Sequence, residues 1–426
     1  MSKFYNNNNT YSNTNQNHPL QQNSQNFLSY KKYVSIHSED RDAISFPNSS
    51  EFEIELPEDI INISTMKLSE WSFPSNYDTF SRLNSNITMM FNFNTLYQPN
   101  NNTYPLETGI FTALNYYNDS FIVTIEEGFY NPTQLTTELT NKFNESVNKV
   151  IIEYFTNHLP YLLDEFINSG GYTRFVIVYN NVSQKIWFGN RCDIFELLNE
   201  CIFIANSEVN EQLLCKKSQV PDFSNWGLPG NLGLTRCNII SHTPFNLVNP
   251  LGNNYILSNN YIRFYYGDVN NVGDNGIWLT PATDSSGNVL LDATVQFIEC
   301  PYKINIFGPS YIYMEIFKYN CIDETQPYNI SKFTLTTNET NGIVNSAFAK
   351  IPIVSTPTSQ YYDGPANSYK FFDPPVERIR RLRFRLRYHN GELVNFGVFE
   401  YTFTLEFTTL LPMINRSVNY INPSTF

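Results

Sequence analysis

The sequence predicts a mainly β protein of antiparallel strands closed into a sandwich or barrel, and three observations predict it. Aromatic residues make up 16% of the 426 positions, with 34 Phe and 29 Tyr. Such side chains fit a pleated, half-buried surface and remove large areas from water when buried. The strong helix formers Lys, Glu and Ala are under-used. Short period-two segments bounded by Pro, Gly, Asn and Asp recur at both ends of the chain. An AT-rich genome would by itself enrich Phe, Tyr, Ile and Asn. These residues must still be buried or cover a partner, so the fold class stands.

The length allows one large β domain with insertions, or two or three smaller ones. A hydrophobic fraction of 41% against 16% charged excludes wholesale disorder, and the net charge of -13 weighs against a general nucleic-acid binder. No stretch reaches the ~18 apolar residues needed to cross a bilayer. The first thirty residues hold no apolar h-region, so no secretory signal is expected. Cys192, Cys201, Cys215, Cys237, Cys300 and Cys321 form no CxxC pair. They are expected to be reduced and buried rather than a disulfide frame or zinc site. The sequons at Asn62 and Asn181 are expected to go unused.

Taken in order, residues 1–28 are a low-complexity Asn/Gln/Ser arm that has too little apolar surface to offset its ordering entropy. It is expected to be disordered alone and to order only on a neighbour. Tyr33 to Ser38 reads as a strand, and Ser38 to Asp42 as a polar turn. Phe52-Glu53-Ile54-Glu55-Leu56-Pro57 alternates apolar and acidic residues, as a half-buried strand does. Met66 to Pro74 and Ile87 to Phe93 continue the series, and Phe121 to Ile125 is a further strand. One flanking helix is predicted over about 132–147. Asn131 suits the N-cap, Pro132 the first helical position and Gln134 the third. Leu135, Leu139, Phe143 and Val147 then form one apolar stripe, which should lie on a sheet.

The middle, 151–300, reads as a long insertion or a second β unit. Phe175–Tyr179 and Lys185–Phe188 look like a strand pair, and Asp193–Ala205 like a short helix. Gly227–Gly233 is a loop, and Ile262–Tyr266 and Gly276–Leu279 flank another. In the last part, Tyr311 to Ile316 is a strand. Arg381 to Arg387 alternates with period two, His389-Asn390-Gly391-Glu392 supplies an Asn-Gly turn, and Leu393 to Phe396 and Tyr401 to Phe407 return. The organisation expected is therefore an arm (1–28), the first part of a sandwich with its helix (29–150), the middle unit (151–300), the rest of the sandwich (301–412) and a tail (413–426).

The residues that carry chemistry do not converge. There is no P-loop, GxGxxG, GxSxG or HExxH. The five histidines, at 18, 37, 158, 242 and 389, include no pair at helical spacing. His37, Glu39, Asp40 and Asp42 form a polar cluster that reads as a turn bonding its own backbone before it reads as a metal site. Asp268, Asn270, Asp274 and Asn275 faintly resemble a calcium loop, but Val272 holds a ligand position and no bidentate Glu follows. No catalytic residue, metal site or cofactor is assigned.

The sharpest electrostatic feature is Arg378, Arg380, Arg381, Arg383, Arg385 and Arg387. On a strand Arg381, Arg383, Arg385 and Arg387 share one face, with Leu382, Phe384 and Leu386 on the other. Four guanidiniums in a row need acceptors. Nucleic-acid phosphates, acidic groups of a neighbouring subunit, or the acidic face of Glu51, Glu53 and Glu55 within the sheet would each serve. The four are the candidate interface residues.

Four segments resemble the minor capsid proteins of large icosahedral DNA viruses of the giant-virus group. They are Val34 to Asp42 leading into Phe52 to Pro57; Lys67-Leu68-Ser69-Glu70-Trp71-Ser72-Phe73-Pro74; Val123 to Leu139; and Ile379 to Phe407. Together they cover about a third of the chain, at its two ends, and the middle has no counterpart. The resemblance implies a jelly-roll-type sandwich and a non-enzymatic structural role in the virion, assembled in the host cytoplasm. It implies contacts with the major capsid protein, other minor capsid proteins or the internal viral membrane, and no specific nucleic acid. A penton or vertex protein belongs to the same range of roles. A carbohydrate-binding β-sandwich, as in a viral attachment protein, and a hydrolase on a β scaffold are the rival readings.

Overall fold

The computed structural model describes residues 27–75, 77–82, 84–99, 103–206, 227–243, 256–257, 261–264, 277–284, 287–325, 344–353, 359–363, 369–389 and 391–412. The arm up to residue 26, the tail from 413, Cys215, Asn390 and the calcium-like loop at 268–275 lie outside the described residues.

The chain opens with β1 (Phe27–His37), β2 (Glu51–Ser75) and β3 (Thr88–Thr95), then α1 (Pro105–Tyr117) and β4 (Phe121–Thr124). Two helices follow, α2 (Pro132–His158) and α3 (Pro160–Asn168), then β5 (Phe175–Asn180), β6 (Lys185–Asn190), β7 (Ile194–Leu197) and α4 (Asn199–Asn206). Beyond α5 (Leu228–Asn231) come β8 (Ile239–Ile240), β9 (Ile256–Leu257), β10 (Tyr261–Phe264), β11 (Ile277–Leu279) and β12 (Gln296–Glu299). The last elements are β13 (Tyr311–Ile316), β14 (Ile322–Thr325), β15 (Val344–Ala347), β16 (Ala349–Pro352), β17 (Ser359–Asp363), β18 (Tyr369–Arg387) and β19 (Thr402–Pro412). The protein is mainly β, and its strand pairs are antiparallel, as the composition predicts.

The two ends of the chain build one seven-stranded sheet in the order β1-β19-β2-β18-β13-β16, with β17 also on β2. Its register shows that it folds over on itself. Phe384 lies opposite Phe52, and Phe403 opposite Trp71, near the two ends of β2. At about 3.3 Å per residue a straight β2 would hold those positions ~60 Å apart. The Phe384 and Phe403 rings are instead 5.0 Å apart, and Phe52 and Tyr401 6.4 Å. β2 therefore doubles back, and its two arms form the two layers of a sandwich. The bend falls where its ladders are interrupted, between Glu55 and Ile60, and Asn62 just beyond adopts a left-handed φ of 51°. Pro57 sits in the unpaired stretch, where a missing N–H costs no ladder bond. This is why Phe52–Pro57 and Met66–Pro74, which read as separate strands in the sequence, run as one strand. The enclosed core holds Ile36, Phe52, Met66, Phe73, Met314, Phe384, Phe403 and Phe407.

Residues 80–300 build a second core around a four-stranded sheet, β4-β3-β7-β8, and a three-stranded sheet, β12-β6-β5. Phe91 stacks on Phe121 (4.9 Å) and Phe143 (4.7 Å), and Phe143 meets Phe175 (5.1 Å). The predicted helix is present with its capping box: Gln134 N–H donates to the Asn131 side chain (2.8 Å) and Asn131 N–H to Gln134 Oε1 (3.1 Å). It differs from expectation in length and place. It continues to His158 because Ile151 and Phe155 extend the stripe, and it packs in this second core rather than on the terminal sheet. Residues 80–147 thus belong with the middle unit, whose core begins well before residue 151. α1 and α3 join α2, and Gly109 lets α1 approach where a Cβ would meet Leu162 (2.7 Å) and Phe155 (3.0 Å). The segment expected as a helix over 193–205 splits into β7 and α4, since Phe195 and Leu197 are buried alternately beside β3. Replacing Asn131 by alanine is expected to cost about 1 kcal/mol, the usual value of an N-cap, measured by chemical denaturation.

The middle of α2 has a second function in the fold. β5 is an edge strand, and Thr140, Asn144 and Asn148, one helical turn apart, cover that edge. Asn144 accepts from Phe175 N–H (3.0 Å) and donates to its carbonyl (3.0 Å), Thr140 Oγ1 accepts from Ile177 N–H (3.0 Å), and Asn148 accepts from Tyr172 N–H (2.6 Å). These side chains satisfy backbone groups that would otherwise be an open template.

Candidate protein–protein interface

β18 presents the arginine run as predicted, with Leu382, Phe384 and Leu386 buried and Arg381, Arg383 and Arg385 facing out. A register shift between Ile379 and Arg381 turns two successive residues, Arg380 and Arg381, to the same side. Both guanidiniums reach Glu55, at 2.8 Å and 3.3 Å. Arg383 bonds Glu51 (2.5 Å), Arg378 lies 3.4 Å from Asp59, and Arg385 lies 3.9 Å from Glu315 on β13. The acidic strand face is thus the acceptor that the fold supplies, and the outer surface is a charge-balanced ladder. Its members are about half exposed and screened by solvent, so the pairs add little to stability.

Arg387 is a correction. Its side chain is only 2% exposed, bonded to Glu315 and, at 2.7 Å, to Glu324, and it cannot face a neighbour. His389 bonds the other Glu324 oxygen. Burial pulls the Glu324 carboxyl up, but hydrogen bonds from His389 and Arg387 outweigh it and hold it below the usual glutamate range. Glu400 behaves likewise: burial raises it, and bonds from Arg41 and Ser38 lower it further than that. A carboxyl whose pKa is lowered on folding stabilises the protein above the unfolded value, near 4.3, and loses that contribution as pH falls through the folded one. Glu107, held up by burial against the pull of Arg174, works in the opposite sense. The melting temperature is expected to fall on acidification from about pH 5 to pH 3, and Glu324→Gln should flatten that slope in a pH series of thermal melts.

The polar cluster that the sequence offers near the first strand bonds its own backbone. Asp42 accepts from Ile44 N–H (3.1 Å), Ser45 N–H (3.3 Å) and Ser45 Oγ (2.5 Å), so the His37–Asp42 cluster is a self-bonded turn. Among the described residues no group of three His, Cys, Asp or Glu is placed to hold a metal, and no helix is long and apolar enough to cross a membrane. Among the described residues the cysteines are free; Cys192 and Cys300 are buried as expected, whereas Cys201, Cys237 and Cys321 are exposed, contrary to expectation. Burial pushes the Cys192 and Cys300 thiols up, away from nucleophilic reactivity. A shallow groove of about 490 Å³ runs between Glu126, Phe129, Tyr130 and Glu138, and burial with those carboxylates pushes the Tyr130 phenol up to about 12.

Sequence reasoning missed a buried ionic network in the second core. Arg174 lies between Glu107 of α1 and Asp193, with Nη1 2.9 Å from Asp193 Oδ2. The same oxygen accepts from Tyr172 Oη (2.9 Å), and Asp193 Oδ1 accepts from Tyr97 N–H (2.8 Å). These residues are far apart in sequence, and no spacing signal could have joined them.

What the surface offers instead is aromatic area. Tyr116 is 70% exposed beside Tyr154 and His158, which stack at 4.5 Å. Phe371 is 64% exposed with Tyr369 at 4.6 Å, and Phe307 is 84% exposed.

No family model and no curated protein matches the chain. Among solved structures it is similar to the mavirus penton protein, at 10% identity with a TM-score of 0.36, covering 89% of this chain and 99% of that one. It is similar also to a chain of the Sputnik virophage structure, at 12% identity with a TM-score of 0.38, covering 89% and 98%.

Proposed function

We propose that this chain is a non-enzymatic structural component of an icosahedral viral capsid, a minor capsid protein that works by protein–protein contact. The observation that supports the reading is the division of its aromatic residues. One set packs two closed cores, and another, including Tyr116, Phe307 and Phe371, stands on the surface with no role in either. Burial of such rings against other chains is the main source of association energy in interfaces. The charge-balanced ladder of Arg381 and Arg383 with Glu51, Glu53 and Glu55, and of Arg385 with Glu315, suits an interface rim, where exposed ion pairs orient a partner and add little affinity. In this role the partners are the major shell protein and other minor proteins, and the site of action is the virion. Quantitative proteomics of purified particles tests it: the chain should be present in fixed stoichiometry to the shell protein, and trace amounts would contradict the reading.

A further inference from the structure

The fold covers the edge of β5 with α2 side chains but leaves the edge of β1 open among the described residues. β1 is 11 residues long, pairs with β19 on one side over its whole length without a register shift, and contains no proline. Long regular edges of this kind template the pairing of another strand. Its two lysines, which would ordinarily repel a second strand, are each neutralised within the sheet: Lys31 by Glu406 (2.7 Å) and Lys32 by Glu58.

The orientation of the free groups is set by the bonds to β19. Ser38 N–H donates to the Tyr401 carbonyl, and the Tyr30 carbonyl accepts from Thr409 Oγ1, so even-numbered residues turn their backbone groups toward β19. By alternation Ser29, Lys31, Tyr33 and Ser35 present N–H and C=O to the open side.

We propose that β1 is a self-association edge, and that two copies of the chain pair β1 with β1 antiparallel about a twofold axis at Tyr33. The occupant follows from the sequence of the strand. With Tyr33 opposite its own copy, Lys31 meets Ser35 and Lys32 meets Val34, so no lysine faces a lysine across nine residue pairs. Keeping side chains on their faces requires a shift of two residues: in one direction it sets Lys32 against itself, in the other it shortens the overlap from nine pairs to seven, and a shift of four sets Lys31 against itself. In the Tyr33 register Ile36 lies opposite Tyr30, and the buried row of Val34 and Ile36 continues into the second copy. The inference is independent of the capsid reading, since it requires only two copies of the chain.

In a hydrogen-bonded antiparallel pair the Cα atoms are ~5.5 Å apart, within disulfide range. In the full-length chain, Tyr33→Cys should give a covalent dimer on mild oxidation with diamide, above the background set by the native cysteines. Lys31→Cys, whose copies would lie ~13 Å apart along the strands, and Ile122→Cys, exposed elsewhere on β4, should not. Sedimentation of the unmodified chain should show a concentration-dependent dimer, and Ser35→Pro should shift it toward monomer without loss of melting temperature, because that N–H faces outward. The proposal is overturned if the unmodified chain stays monomeric, or if Tyr33→Cys cross-links no more than the controls. It is equally overturned if Lys31→Cys cross-links in its place, or if folded Ser35→Pro dimerises as before. Should Ser35→Pro fail to fold, the cross-linking result decides alone.

Discussion

Replacing Asp193 by alanine is expected to lower the unfolding free energy by about 3–5 kcal/mol, the usual cost of removing one partner from a buried ion pair. Asp193 and Arg174 are both almost wholly buried. Without the carboxylate, Arg174 keeps only Glu107, and the Tyr172 hydroxyl and Tyr97 N–H lose their acceptor in a region that water does not reach. The loss should appear as a lower denaturant midpoint in chemical unfolding. A change under about 1 kcal/mol would show that the site relaxes and that the network does not hold α1, β5 and β7 together.

Arg387 and Arg383 should separate sharply although they belong to one run. Arg387→Ala leaves Glu324 and Glu315 without their buried cation and is expected to cost about 3–5 kcal/mol. Arg383→Ala removes a half-exposed partner of Glu51 and should cost under about 1 kcal/mol. The same unfolding experiment reads both. Equal effects would contradict the assignment of one residue to the core margin and the other to the rim.

The sequence disclosed the β character, the cap of α2 and most strands, because each rests on a local pattern. Asn131 with Pro132 and Gln134, and the alternation of Leu382, Phe384 and Leu386, are legible without any long-range contact. Continuity through Pro57 was not legible, because it depends on where the ladders of β18 and β19 stop. α1 was missed because Gly109 and its β-branched neighbours are poor helix formers; burial of Ile110, Ala113 and Leu114 overrides propensity there. The assignment of 80–147 to the second core was hidden for a related reason: a buried strand such as β3 carries the same pattern whichever sheet it joins. For the arginines, the acidic face of β2 was among the acceptors that the sequence offered, and the register makes it their partner. The burial of Arg387 depends on Glu315 and Glu324, which no spacing connects to it.

The claim that this chain acts by covering and being covered is tested most directly by a density map of intact particles at side-chain resolution. The chain should lie within the shell, with Tyr116, Phe307 and Phe371 buried against other chains. A shell without the chain, or one in which those rings face open solvent, would contradict it.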